Sequence, residues 1–214
     1  MLKKYKVFFI ISCLITILPI LPGLIFWNRL PDSIATHFSF SGEPNGYSSK
    51  MFAVVGLYML LLAVHCVCAV LTSSDPKSKN LSGKVYCLIL CICPLVSLFC
   101  AVTVYGSALG FSGTNKPGVI FVLMGLLYIV IGNYLPKCRQ NFTVGLRLPW
   151  TLASTENWDR THRFSGKIWI IGGLLLLIGA FISVLQTLWF FSGITAILVC
   201  VPCIYSFSLY KHGV

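Results

Sequence analysis

The sequence predicts an all-α polytopic membrane protein: a bundle of six transmembrane helices with a structured extracytoplasmic loop and a cytoplasmic amphipathic elbow. Three observations predict it. Of 214 residues, 57% are hydrophobic and only 10% charged, where a soluble domain carries roughly 25% charged residues. The apolar residues come in runs near the roughly 20 residues that a helix needs to cross a bilayer. The 16 Lys and Arg fall in short loops between those runs, a pattern of membrane topology rather than of a nucleic-acid-binding stripe. Soluble enzymes, secreted disulfide scaffolds and disordered tails are excluded by the same arithmetic.

The spans are taken in order as about 7–27, 52–72, 85–109, 118–135, 168–188 and 190–210, in a single membrane domain covering residues 1–214. The last two come from one stretch, Ile168 to Tyr210, that lacks Asp, Glu, Lys and Arg. At about 1.5 Å per residue it is about 65 Å long, twice a bilayer core, so a turn is expected within Gln186–Gly193, with Trp189 as an interfacial anchor. The first span has a basic start but no small-residue cleavage site after it, and is read as a retained helix. Counting Lys and Arg loop by loop puts 13 on one side and 3 on the other, which by the positive-inside rule places both termini in the cytoplasm.

Nine of the ten cysteines lie in the apolar runs and Cys138 in a predicted cytoplasmic loop. They read as small polarizable packing residues. Cys200 and Cys203 form a CxxC, but inside a span, where no helix N-terminus lowers a thiol pKa. His65 is the one ionisable residue within a span other than the thiols and tyrosines, without a charged group to relay with. No metal site, cofactor or catalytic constellation is expected, so the chain is not read as an enzyme.

Two loops carry the specific polar chemistry. The outer one, Leu30 to Lys50, clusters turn formers at Ser41-Gly42 and Pro44-Asn45-Gly46. Ile34, Phe38, Phe40 and Tyr47 alternate with polar residues, so the loop is expected to fold back as a cap or to offer a recognition surface. Asp32, His37, Phe38, Gly42, Tyr47 and Lys50 are its candidate ligand-facing residues. The inner one, Pro136 to Lys167, starts irregular and ends helical. Ser154 is a candidate N-cap, and Glu156–Arg160 and Asp159–Arg163 are acid-before-base i,i+4 pairs. Trp150 and Trp158 are expected as headgroup-zone anchors, and Gly166 as the break before span five. This elbow reads either as a membrane-hugging basic surface or as a docking site for a cytoplasmic protein.

These loops resemble a known family. Leu30 to Lys50 resembles the extracytoplasmic motif of DUF1648 proteins, and the similarity extends over about 10–55. Gly132-Asn133-Tyr134-Leu135-Pro136, Asn141 to Leu152, and Trp158 to Arg163 resemble the SdpI signature, within a segment of about 118–212. Asn45, Ala35 and Leu148 depart from the pattern. The resemblance implies a bacterial cell-membrane immunity protein that protects against a secreted peptide toxin of the SDP type. It also implies signalling, in which a small repressor, SdpR, is held at the membrane. The partners so implied are a toxin outside, a repressor inside and the bilayer. Asn133, Asn141, Gly145, Arg147, Pro149, Trp150, Trp158, Arg160, Thr161, His162 and Arg163 are the candidate partner-binding residues. The alternatives are a small transporter or channel, and a membrane thiol oxidoreductase using Cys200 and Cys203.

Overall fold

The computed structural model describes every residue except Ser112, Thr114 and Asn115. It is helical apart from one β-hairpin, and falls into two compact units, residues 1–73 with 86–116, and residues 74–85 with 117–214. Among the described residues five stretches are long and apolar enough to cross a membrane: Lys6–Ile25, Phe52–Ser73, Gly83–Ala108, Pro117–Lys137 and Leu188–Lys211.

In the first unit, α1 (Lys6–Ile17) and α2 (Ile20–Ile25) are one apolar span bent at Leu18-Pro19. Pro19 and Pro22 have no N–H to give to the helix ladder, which loosens it there. The bend brings Gly23 against the later helices: a Cβ there would stand 2.5 Å from the Tyr105 hydroxyl and 2.6 Å from Val54 Cγ1. That hydroxyl donates to the Pro19 carbonyl at 3.0 Å. The next helix opens with a π-helical turn, Phe52–Gly56, and continues as α3 (Leu57–Ser73); α4 (Gly83–Ala108) follows. A ladder of short polar bonds ties α1 to both. Ser12 meets His65 Nε2 at 2.8 Å, Thr16 Oγ1 donates to Ser12 O at 2.8 Å, and Ser97 Oγ donates to Thr16 O at 2.6 Å. Such interhelical bonds add specificity where apolar packing alone gives little between helices in lipid.

In the second unit, α5 (Pro117–Tyr134) packs antiparallel to α7 (Thr155–Gly179) along glycines spaced by seven residues. Gly125 meets Gly173 and Gly132 meets Gly166, each close enough that a Cβ on any of the four would lie 2.6–2.8 Å from the partner's carbonyl oxygen. Gly118 meets the Ala180 carbonyl in the same way. Small residues let two backbones approach where only dispersion holds them. Between them in sequence comes α6 (Pro149–Ala153), which packs on α7 and on α8 (Leu188–Lys211), the helix that closes the unit.

This unit corrects three sequence expectations. Gly166 does not break the elbow from the fifth span, because its lack of a side chain is used against Gly132 and Pro136 and the helix runs straight through. The helix that starts at Thr155 therefore runs on into the fifth apolar stretch and ends at Gly179, alongside α5, rather than forming a separate helix over 168–188. The turn before α8 comes earlier than Gln186–Gly193: α7 ends at Gly179, Gln186 Nε2 donates to Ala180 O at 2.7 Å, and Thr187 caps α8 through Phe190 N. Finally, Trp158 is no headgroup anchor, being fully buried. Its Nε1 donates to Cys138 O at 2.7 Å and its ring stacks on His162 at 4.0 Å. Trp189, by contrast, is 86% exposed.

Candidate functional site

The outer-loop residues form a hairpin in the first unit. β1 (Ser33–Phe38) pairs antiparallel with β2 (Pro44–Ser49), with Ser33 opposite Ser49, Ala35 opposite Tyr47 and His37 opposite Gly46. The register slips around His37. A lone two-stranded hairpin is marginal in water, and this one is held from below. Leu30, Ile34 and Ala35 are buried, and Leu30 and Ile34 pack with Val54, Tyr58, Val104 and Tyr105. Lys50 N donates to Asp32 O at 2.9 Å and its Nζ meets the Asp32 carboxylate at 2.9 Å, closing the base. At the tip Gly42 takes φ +87°, a left-handed turn that suits glycine. Ser39 N donates to Glu43 O at 2.8 Å across the loop.

What is left outward is polar with aromatic content. Asp32, His37 and Tyr47 are exposed, Tyr47 by 62%, while Phe38, Gly42 and Lys50 are half-buried. His37 Nδ1 meets Asn45 Oδ1 at 2.6 Å. An amide oxygen only accepts, so Nδ1 carries the proton in that contact. Five of the six candidate residues thus stand on or beside the two strands, and Gly42 at their turn.

The inner-loop residues form something different, a buried polar hub in the second unit. Asn141 is fully buried and folds the loop around itself. Its Nδ2 donates to Arg139 O and Val144 O, and its Oδ1 accepts from Thr143 N at 2.9 Å and Val144 N at 2.7 Å. His162, also buried, takes Leu146 N–H on Nε2 at 3.0 Å. Nε2 is therefore the bare nitrogen, and Nδ1–H donates to Trp158 O at 2.8 Å. Burial holds the imidazole pKa below its ordinary value, against the opposing pull of the Trp158 carbonyl and Asp159. Gly145 lies over that ring with φ +110°, and a Cβ there would collide with His162 Nε2. Thr151 Oγ1 accepts from Leu148 N at 2.8 Å, anchoring the start of α6. Asn157 Oδ1 accepts from Ser206 Oγ at 2.6 Å, and its Nδ2 donates to Ser206 O and Val214 O, which fastens α8 to α7.

Sequence reasoning missed Asp75 and Gln140. The Asp75 carboxylate accepts from Lys77 N at 2.7 Å, Phe142 N at 2.9 Å and the Thr143 hydroxyl. Burial pushes its pKa up, but these bonds outweigh burial and hold it below the usual carboxylate range. Gln140 accepts from Lys77 Nζ at 2.7 Å and donates to Thr151 O and Leu152 O. Residues 75–80 and 138–152 therefore share one end of this unit, as the alternation of basic loops requires. An Asp-Pro pair opening a loop was the available signal for Asp75.

Of the other candidates, Trp158, Thr161, His162 and Asn141 are buried, Gly145 and Trp150 half-buried, and Asn133, Arg147, Pro149, Arg160 and Arg163 exposed. Arg147 donates to Phe142 O at 2.7 Å, and Arg160 pairs with Glu156 at 2.5 Å. Burial pushes the Cys138 thiol up to about 11, a thiol rather than a nucleophilic thiolate at neutral pH. Cys200 and Cys203 lie within α8 on either side of buried Pro202. Among the described residues no three His, Cys, Asp or Glu side chains are grouped to hold a metal.

Apolar spans, a capped hairpin and a buried polar hub define a polytopic membrane protein. Two family profiles match these parts: the SdpI/YfhL protein family over residues 137–206 and the domain of unknown function DUF1648 over residues 14–62. The chain is 27% identical over 178 residues, 81% of its length and 82% of the relative's, to "Immunity protein SdpI" of Bacillus subtilis (strain 168). The chain is thus similar to SdpI-type proteins in both segments and over most of its length. No solved structure matches it.

Proposed function

We propose that this chain is a membrane immunity protein that gives its cell resistance to a secreted peptide toxin, which it meets at the β1–β2 hairpin. One observation carries this: a hairpin fixed from below by a buried apolar face, yet presenting His37 and Tyr47 outward beside the half-buried Phe38. A peptide recognised there finds pre-ordered aromatic contact area, which lowers the ordering cost of binding. The orientation that fits has both termini cytoplasmic and the hairpin outside. The 13-to-3 distribution of basic residues supports it.

On the cytoplasmic side the same chain holds a small repressor protein at the membrane when toxin is present. The exposed Arg147 and Pro149, carried on the polar hub, and the neighbouring Asn133, Arg160 and Arg163 form the docking face. The buried Asn141, Gly145, Trp158, Thr161 and His162, with half-buried Trp150, support it. The test is survival of a toxin-sensitive strain expressing the chain, with a tagged repressor followed by membrane fractionation. Phe38→Ala with Tyr47→Ala should abolish protection at unchanged protein level, and full protection would overturn the toxin site. Arg147→Lys keeps the charge but loses the guanidinium fork. It should reduce recruitment and spare protection.

A further inference from the structure

Beside the hub, the end of α5, the first half of α7 and Tyr205 of α8 enclose an open groove of about 1010 Å³. Lys137, Arg160, Arg163 and Lys167 line it, against Glu156 and Asp159. Glu156 is already neutralised by Arg160, and Lys137 leans over the Tyr134 ring within reach of Asn133. Arg163 and Lys167 stand exposed and one helical turn apart, on the same face of α7. The groove floor is Gly132, Gly166 and Ile170, where α5 and α7 become wholly apolar. Cations thus converge at the level where a bilayer's headgroups give way to its chains. Further along α7, at its seam with α8, a second groove, of about 190 Å³, is lined by Ile168, Ile171, Leu175, Ile194, Ile197 and Leu198. From Arg163 to Ile171 is about 12 Å along the helix at 1.5 Å per residue, the order of distance from a lipid phosphate to its upper acyl chain.

We propose that this groove binds one anionic glycerophospholipid, its phosphodiester on Arg163 and Lys167 and one acyl chain along the α7–α8 groove. Basic pockets between transmembrane helices hold anionic headgroups by this charge match. The four cations exceed the two carboxylates by two, so a singly charged phosphate is taken up without reversing the local charge. The apolar floor and the depth of the site favour a lipid over a soluble acidic protein, which approaches from water. Arg147 and Pro149 lie outside the groove, whereas Asn133, Arg160 and Arg163 are shared with the proposed docking face, so a bound lipid and a docked protein would meet there. The inference stands whether or not the chain confers immunity.

The experiment is native mass spectrometry of the full-length protein in maltoside detergent, titrated with phosphatidylglycerol or phosphatidylcholine of identical chains. One phosphatidylglycerol should bind in preference to phosphatidylcholine. Arg163→Gln with Lys167→Gln should weaken it roughly thirtyfold, at about fivefold per cation. Arg163→Lys with Lys167→Arg should retain it, and Lys3→Gln with Lys4→Gln, far along the sequence, should change nothing. If the double glutamine variant unfolds by circular dichroism, each single variant is read instead, at about fivefold. Equal binding of the two lipids, or no loss in the glutamine variants, overturns the proposal. So does displacement by inorganic phosphate, which would make the groove a free-anion site, or by a glutamate-rich peptide, which would make it a protein site.

Discussion

The hairpin and the hub use similar residues to opposite ends. Both contain a histidine, an asparagine, an aspartate and aromatic rings. In the hairpin the histidine and asparagine face water and bond each other. In the hub they are buried, and each bonds backbone groups of the irregular loop. An irregular segment has no ladder to satisfy its N–H and C=O groups, so buried side chains must do so. A signature asparagine or histidine in such a loop is therefore first a folding residue. The hairpin has its own ladder, so its polar side chains are not needed to satisfy its backbone and remain at the surface. Mutations should separate the two regions by whether stability or recognition fails.

The largest effect should come from Gly145→Ala. It forces a left-handed φ on a residue with a side chain and drives a methyl into the His162 ring. We expect a loss of several kcal/mol, roughly 3 or more, seen as a large drop in thermal unfolding temperature in detergent. Protease cleavage within 138–152 should rise with it. Asn141→Ala follows, at about 2–4 kcal/mol, because it strands several buried backbone groups together. Recruitment and protection would then fail through loss of folded protein, which a melt distinguishes from lost contact.

Acid should weaken the hub. The folded pKa of His162 lies below its unfolded value near 6.5, so the folded state binds fewer protons than the unfolded state in the interval between them. Its contribution is fully present above about pH 6.5 and is lost as pH falls through the folded value. The melting temperature should fall as pH is lowered from about 7 towards 5, and His162→Gln should flatten that slope. Asp75, with its depressed pKa, behaves the same way further down. Its contribution is present above about 3.9 and is lost as pH falls through the folded value. A slope unchanged in the His162 variant would show that other groups set the acid response.

Much of this was legible in the sequence, and what escaped has physical reasons. Apolar run lengths located five long apolar helices to within a few residues, because lipid admits few alternatives to a helix. The bounds of the helix through 168–179 escaped because α7 is half basic and half apolar, and Gly166 looks like a breaker until the helix it faces is known. The Ser154 cap was readable and is present, accepting Asn157 N at 3.2 Å. The strands were not, since Pro44-Asn45-Gly46 is poor strand sequence and forms one only over the apolar seat provided by Val54, Tyr58 and Val104. The elbow residues read as one surface in the sequence. Exposure divides them into outward residues and buried ones that hold those in place. Periodicity could not show this, because Trp158 and His162 would share a face whether that face met lipid or the loop.

On the hairpin, Tyr47→Ala should leave the melting temperature within about 1 °C, since an exposed substitution away from special features changes stability little, while toxin protection falls. A large loss of stability would instead make Tyr47 part of the scaffold and blur the contrast between the two regions.

The smallest structural effect should come from Asp32→Asn, and for that reason it sharpens the contrast most. The hairpin base is closed twice at this residue, once by the Asp32 carbonyl accepting from Lys50 N and once by the carboxylate meeting Lys50 Nζ. The substitution leaves the first closure intact. The second lies between a half-buried lysine, also leaning over the Trp27 ring, and a carboxylate wholly open to water. Exposed ion pairs of this kind are screened and contribute little to stability. The melting curve of Asp32→Asn should therefore overlay that of the parent. Protection is then read without a folding correction. If it falls, a cationic group of the toxin meets Asp32, and raising the salt concentration should weaken protection by the parent in the same direction, since exposed charges attract less across a shorter screening length. If protection is unchanged, toxin contact is carried by Tyr47 and Phe38 through apolar area, which salt does not screen.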